Sequence, residues 1–367
     1  MKNWLASFRY FDVYIFGSST LLLILGLLMI YSTTLNTDLN LLSRQIIFGV
    51  VAFLMMFGVA FFDYRKLKKF TPWLFLLMVG ALMFVLFFGH TVQGSTRWIN
   101  FGFFLLQPAE FAKLAMVIIM AKFLDQSGEK IKSFRYVFLS LIYVTIPAFL
   151  ILIEPDLGTA LVLFAIWGGM LMFSKMQKKH AAILLLGAIA FSVFSWFFLF
   201  QDYQKNRIHT FIDPMSDPRG RGYNVIQSVI AVGSGSITGR GVGRGLQSQL
   251  DFLPERQTDF IFASTAEELG LFGSGFVIAM FGLIFFRIIK AMRHARDNFG
   301  MYLALGVFFM LLFQVTVNIG MNIGILPVTG IPLPLLSYGG SSLMTTMLAL
   351  GLIQSIVARQ RAVKFGD

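Results

Sequence analysis

Residues 13–31 read Val13-Tyr-Ile-Phe-Gly-Ser-Ser-Thr-Leu-Leu-Leu-Ile-Leu-Gly-Leu-Leu-Met-Ile-Tyr31. No charge interrupts the stretch, and about 20 such residues in a helix cross a bilayer core. The pattern recurs at about 46–62, 72–89, 104–124, 136–153, 158–174, 181–200, 267–289, 301–320 and 338–358, giving ten spans. The fourth and eighth begin in mixed segments. The first lacks a cleavage pattern and is followed by further spans, so it reads as a retained helix rather than a signal peptide. The expected fold class is all-α and polytopic: ten transmembrane helices, with 1–367 forming a single integral membrane domain.

Composition points the same way. Of 367 residues, 57% are hydrophobic, 42 are Phe, and only 13% are charged, about half the globular norm of roughly 25%. A mean hydropathy of +0.75 excludes a water-soluble or disordered chain. With no cysteine, disulfides, thiolate metal sites and thiol nucleophiles are excluded. His90, His180, His209 and His294 lie too far apart for metal-ligand spacing. The net charge of +12 then speaks to orientation rather than to nucleic acid.

With an even number of spans both termini share a side. Placing them in the cytoplasm collects Lys2, Arg9, the cluster Arg65 to Lys69, Lys122 to Arg135, Lys175 to Lys179, Arg287 to Arg296, and Arg359 to Lys364 on the inner face. The short connections opposite hold Arg44 and Arg97 alone. That is a strong positive-inside asymmetry, and an odd count would destroy it. The exception to short connections is 201–266, a large extracytoplasmic loop between the seventh and eighth spans. Its aromatic, Leu and Ile content predicts short helices at the membrane surface. Most acids, among them Asp38, Glu154, Asp156, Asp251, Glu255, Asp259, Glu267 and Glu268, fall on this outer side. Cytoplasmic nucleotides are therefore poor substrates for any acid chemistry, and without an internal repeat an inverted-repeat transporter is disfavoured.

The densest constellation is Phe252-Leu-Pro-Glu-Arg-Gln-Thr-Asp-Phe-Ile-Phe-Ala263, followed by Glu267-Glu268-Leu269-Gly270. Glu255 and Asp259 share a face if that stretch is helical, and Pro254 suits a helix start. The plain alternative is a capped helix entry with solvated acids. Against it, Asp259 abuts an apolar run, and partial burial raises a carboxylate above about 3.9 and makes it a better base. Upstream, Gly233 to Gly245 with Arg240 and Arg244 reads either as a flexible turn or as backbone N–H groups and guanidinium forks approaching a phosphate. Arg97, Arg207, Arg219 and Arg221 can serve an anionic headgroup or be surface charges. In the fourth span Glu110 and Lys113 share a helix face, at a depth where a charge costs about 2.5–3.5 kcal/mol. Glu154-Pro-Asp156 reads as a tight turn in which Asp156 caps the sixth span. Lys113 is expected to pair with Asp156 across helices, Glu110 being the same-helix alternative.

Thr96-Arg-Trp98, Gln107-Pro-Ala-Glu-Phe-Ala-Lys113, Glu154-Pro-Asp-Leu-Gly-Thr159, Gln247 to Ala263 with Glu267 to Gly270, and Gly330-Ile-Pro-Leu-Pro-Leu-Leu-Ser-Tyr-Gly-Gly-Ser341 together resemble the SEDS family in motif and order. Gln247-Ser-Gln-Leu and Pro254-Glu-Arg look more like its elongation branch, RodA, than its division branch, FtsW. Gln257 departs from the His often found there. The resemblance implies a peptidoglycan glycosyltransferase that joins lipid II disaccharides outside the bacterial inner membrane, inverting the anomeric centre and releasing undecaprenyl pyrophosphate. It implies Asp259 as the essential acid, and the basic groove that such a leaving group needs matches Arg240, Arg244 and Lys113, with Arg97 and Arg207 the further candidates read above from the residues; Glu255 ranks second to Asp259, as an orienting acid or cation ligand. It also implies a divalent cation (Mg or Mn) with ligands unknown, and a class B penicillin-binding protein transpeptidase and elongation-complex membrane proteins as partners. The partner helix is expected against spans eight and nine near Gly273, Ser274 and Gly275. A lipid II flippase and a scaffold that recruits a transpeptidase are the competing readings.

Overall fold

The computed structural model describes residues 11–35, 40–92, 95–102, 104–198, 200–218, 220, 222–250 and 252–364. Lys2, Arg9, Asp38, Arg219, Arg221, Asp251 and the side chains of Arg361 and Lys364 lie outside the described residues. Each expected apolar segment is a helix: α1 Val13–Thr34, α2 Asn40–Phe61, α3 Leu67–Phe88, α4 Pro108–Ser127, α5 Phe134–Ile153, α6 Leu157–Met172 and α7 Lys178–Phe198. The long loop adds α8 Asp202–Ile212, α9 Tyr223–Ser234 and the single turn α10 Leu246–Gln249. Then come α11 Ile261–Arg293, α12 Asn298–Asn322 and α13 Gly340–Lys364.

Among the described residues, eight helices are long and apolar enough to cross a membrane. The two remaining segments explain the difference from ten. Helix α6 has 16 residues, and α4 carries Glu110, Lys113, Lys122 and Asp125. Helix α4 packs against α3, α6 and α12 and buries nearly every side chain from Pro108 to Ala121. Protein, not lipid, surrounds it, so its sequence need not be uniformly apolar. At the other extreme, 6% of α7's apolar window is buried, against 83% for α13. The fold is also not purely helical. His90–Val92, Ser95–Asn100 and Leu105–Leu106 form a three-stranded antiparallel sheet, β1 to β3 in sequence order. The fourth helix therefore begins at Pro108, after a strand, where Pro satisfies the first helical position.

The two ends of the bundle differ chemically. At one end the basic clusters meet their partners: Lys68 with Asp125 at 2.9 Å, Arg359 with Asp63 at 3.4 Å, and Arg287 with Asp12. At the other end the sheet, the 154–156 turn, the long loop and the 323–339 segment converge.

Helix α11 is two helices in one run. Gly270 breaks it with φ 64° and ψ −157°. A Cβ there would lie 2.3 Å from the Gly239 nitrogen, so only glycine lets the loop cross. Residues 261–269 thus form a short buried helix below the loop, and the long apolar helix follows the break. Tight seams elsewhere use the same device: a Cβ at Gly351 of α13 would stand 2.7 Å from the Met56 carbonyl of α2. Gly351→Val is expected to destabilise by about 1–3 kcal/mol through overpacking, read as a lower melting temperature in detergent. Gly58→Ala, whose Cβ meets nothing within 4 Å, should leave it unchanged.

Candidate active site

Where the segments at this second end converge they enclose a cavity of about 360 Å³. Strand β2 supplies Arg97 and Trp98. The start of α4 supplies Gln107 and Glu110, and the cap of α6 supplies Asp156. Helix α8 supplies Arg207, and the segment before α11 supplies Glu255, Thr258 and Asp259. The α12–α13 connection supplies Thr329, Gly330, Tyr338 and Ser341. Six residues singled out in the sequence as Arg97, Glu110, Asp156, Arg207, Glu255 and Asp259 therefore meet around one space.

Asp259 sits deep in this cavity yet is still reached by solvent. Burial, reinforced by the charges of Glu255 and Asp156 and opposed by Arg207 and Arg97, pushes its carboxyl up to about 6. A Cβ at Gly330, which has φ 76°, would stand 3.5 Å from Asp259 Oδ2, so the facing wall is kept bare beside the carboxylate. The stretch from Pro254 to Phe260 is a series of turns, so the helix on which a shared face of Glu255 and Asp259 would depend is not formed. Glu255 has φ 51°, and its carboxylate accepts from Thr258 Oγ1 at 2.9 Å. The two acids meet through the turn rather than through helical spacing.

The walls are braced by main-chain contacts. Arg97 Nε donates to the Glu154 carbonyl at 2.8 Å, and its Nη2 donates to the Pro155 carbonyl. Its Nη1 lies 4.0 Å from Asp156 Oδ2. Arg207 Nη1 donates to the Thr329 carbonyl at 3.2 Å. Asp156 caps α6 as its position suggested, accepting from Thr159 N at 3.0 Å and Thr159 Oγ1 at 2.9 Å. Beside it Glu154 is buried with neither carboxylate oxygen hydrogen-bonded among the described residues. Burial, with the Asp156 charge adding and Arg97 opposing, pushes Glu154 up to about 8.

The cross-helix pair between Lys113 and Asp156 does not form. Lys113 Nζ is 2.7 Å from Glu110 Oε2, and both side chains are buried. The reason is competition: the oxygens of Asp156 are taken by Thr159, Gln107 and Arg97. The pair lies at the cavity floor, with Glu110 on the lining and Lys113 deeper in the helix, so Lys113 is not placed to touch a ligand in the cavity.

The glycine-rich loop is also not a phosphate cradle. Gly243 N donates to Glu268 Oε2 at 3.2 Å, and Gln247 N and Ser248 N donate to Glu267 at 2.9 and 3.0 Å. Ser32 of α1 adds a hydroxyl to Glu268 at 2.6 Å. Within the loop, Arg240 N and Gly241 N donate to the Glu267 and Glu268 carbonyls at 3.0 and 2.9 Å, so two fully buried glutamates take N–H groups that a phosphate would need. Arg240 and Arg244 are exposed and do not line the cavity. Among the described residues no three His, Cys, Asp or Glu side chains assemble into a metal site.

Sequence reading quoted Gln107, Thr258 and Ser341 within its motifs without giving them a role, and missed Thr329 on the lining and Asn318 and Asn322 behind it. The signal for the last two was present: a buried amide in an apolar membrane run needs a partner.

A helical membrane bundle with a buried carboxylate and paired guanidinium groups in a cavity at one end is the class that fold and site define. A family model described as a cell cycle protein, FTSW_RODA_SPOVE, matches residues 13–362, and the chain belongs to that family. It is 38% identical over 343 residues to the peptidoglycan glycosyltransferase MrdB of Escherichia coli (strain K12), covering 92% of each chain. It is 37% identical over 346 residues to the stage V sporulation protein E of Bacillus subtilis (strain 168), covering 92% of this chain and 94% of that one. Two solved structures share the fold. One is a peptidoglycan synthase complex that coordinates polymerization and crosslinking, with a TM-score of 0.81, 29% identity and coverage of 97% of this chain and 99% of that one. The other is the Thermus thermophilus rod shape determining protein RodA, with a TM-score of 0.72, 27% identity and coverage of 97% and 98%.

Removing one member of a buried ion pair strands the other at a cost of about 3–5 kcal/mol. Lys113→Met and Glu110→Gln should therefore each lower the detergent melting temperature strongly, while the double variant recovers most of the loss. Asp156→Ala combined with Lys113→Met should instead be additive. Thermal melts of the purified variants check both.

Proposed function

We infer that this chain is a peptidoglycan glycosyltransferase. It joins lipid II disaccharides into β-1,4 glycan strands on the outer face of the bacterial inner membrane during elongation. The observation that carries the reading is Asp259: a carboxylate raised by burial, facing a cavity that Arg97 and Arg207 also border. As the acceptor hydroxyl attacks the anomeric carbon of the donor sugar, its proton passes to the Asp259 carboxylate. The new glycosidic bond forms while the bond to the pyrophosphate oxygen breaks. Undecaprenyl pyrophosphate leaves with the electron pair, its charge met by Arg97 and Arg207. One displacement inverts the anomeric centre. Glu255 raises Asp259 toward the working pH and orients it through the turn they share. Magnesium or manganese, implied by resemblance, finds no resident cage in the described side chains, and no step here runs through a metal.

The orientation follows the charge asymmetry: ten spans including α4 and α6, both termini cytoplasmic, and 201–266 outside with the cavity beneath it. The elongation role rests on Gln247 to Leu250 and Pro254 to Arg256. A class B penicillin-binding protein is the proposed partner. Its membrane helix would lie on α11 after the break, where Leu271, Phe272 and Ile278 are exposed. Ser274, expected at that seam, turns inward and donates to the Gly270 carbonyl at 3.0 Å.

The test is reconstitution of the purified protein in liposomes with labelled lipid II. Wild type should yield glycan polymer on a gel. Asp259→Asn should yield none, with expression and melting temperature near wild type, since the amide keeps size but cannot take the proton. Polymer from the Asn variant ends the assignment of the base, and headgroup translocation without polymer favours a flippase.

A further inference from the structure

Two asparagines on α12, one helical turn apart and both wholly buried, converge on the backbone of Asp259 itself. Asn318 Nδ2 donates to the Asp259 carbonyl at 3.0 Å and to the Ile331 carbonyl at 2.8 Å. Asn322 Nδ2 donates to the same Asp259 carbonyl at 3.0 Å and to the Asn318 carbonyl at 2.8 Å. Both lone pairs of the Asp259 carbonyl oxygen are thereby occupied. Asn322 Oδ1 accepts from Ala263 N at 2.9 Å. Ala263 is the third residue of α11, whose cap residue Phe260 offers no side-chain hydrogen bond. Asn322 therefore caps α11 from another helix, satisfying a donor that Ser, Thr, Asp or Asn would ordinarily satisfy locally.

These contacts do more than fill polar valences. Asn318 holds two pieces of main chain at once. One bears the carboxylate, and the other is the Gly330-Ile331 wall facing it. A single planar amide thus sets the spacing across the catalytic side of the cavity. Ser337 Oγ donates to the Thr258 carbonyl at 2.6 Å, and Tyr338 N donates to the Gln257 carbonyl at 2.8 Å, so the same turn is also held from the α12–α13 connection. The orientation of both amides follows from their surroundings: flipped, each would aim an oxygen at a carbonyl oxygen.

We propose that Asn318 and Asn322 are positioning residues for glycosyl transfer, holding the Asp259 main chain so that its carboxylate meets the acceptor hydroxyl, and coupling the placement of α12 directly to that carboxylate. The proposal rests on the polymerase reading above. A carboxylate displaced by about 1 Å from its reacting geometry loses roughly 100-fold in rate, while neither asparagine hydrogen-bonds Arg97 or Arg207, the groups proposed to hold the substrate. The expected signature of Asn318→Ala and Asn322→Ala is a loss in kcat of roughly 10- to 100-fold with KM within about twofold. The pH at which the rate is half-maximal should also move, because the carboxylate shifts relative to Glu255 and Arg207.

The experiment measures lipid II polymerisation at several pH values, well below the melting temperature of every variant. Gly351→Val serves as a control that is destabilised far from the site. If Asn318→Ala does not survive purification, Asn318→Ser, which keeps one short donor, is measured in its place. A kcat loss with a moved pH inflexion in the asparagine variants, absent from Gly351→Val, supports the clamp. Rates that follow melting temperature alike in all variants, or a change confined to KM, overturn it. Wild-type protein that makes no polymer overturns the polymerase reading and the clamp with it, which separates the two failures.

Discussion

The structure depends on one constraint: Asp259 must be withdrawn from bulk water without being allowed to wander. Burial raises a carboxylate and makes it a better base, but an unanchored turn at a membrane boundary would let it swing back to solvent. Here the side chain is free to face the cavity because the main chain is not free. Asn318 and Asn322 hold its carbonyl, Ser337 and Tyr338 hold the two residues before it, and the short helix that follows is capped in trans.

The acidic pair Glu267 and Glu268 extends the same logic outward. Both are fully buried, at the end of the short helix before the Gly270 break. They gather the main chain of 243–248 together with Ser32 of α1. Arg256 Nε donates to the Thr33 carbonyl at 3.1 Å, so the turn carrying Asp259 is tied to the first helix as well. The long loop before α11 is thus anchored by carboxylates beneath it, and its glycines at 239, 241 and 243 take positive φ to pass over them. Within this cluster the buried carboxylates, hydroxyl and main-chain N–H groups satisfy one another, as a low-dielectric interior demands.

Much of this was legible in the amino-acid chain. Lipid demands long apolar runs, so the helices could be located, although ends such as Asn40, Ile261 and Lys364 lie beyond the apolar runs that marked them. Asp259 and Glu255 stood out as acids beside an apolar run. What could not be read depended on partners distant in sequence. Glu110 and Asp156 were both compatible with Lys113, and only the occupancy of Asp156 by Thr159, Gln107 and Arg97 decides between them. The glycine-rich loop resembled a phosphate cradle because composition does not reveal that Glu267 and Glu268 take its N–H groups. The strands between 90 and 106 are too short and mixed for a two-residue period to emerge. Whether Pro254 to Phe260 is helical could not be read, because the turn is shaped by contacts from α12 and the α12–α13 connection, not by local propensity.

The most direct measurement is the pH dependence of the lipid II polymerisation rate in wild type and in Glu255→Gln. A base must be ionised to accept the proton, so the rate should climb with pH and reach half its maximum near the Asp259 value of about 6. Glu255 raises that value, so its removal should move the half-maximum to lower pH. A rate that is flat between about pH 5 and 8, or a half-maximum unmoved by Glu255→Gln, would contradict Asp259 as the base set by its burial and its acidic neighbour.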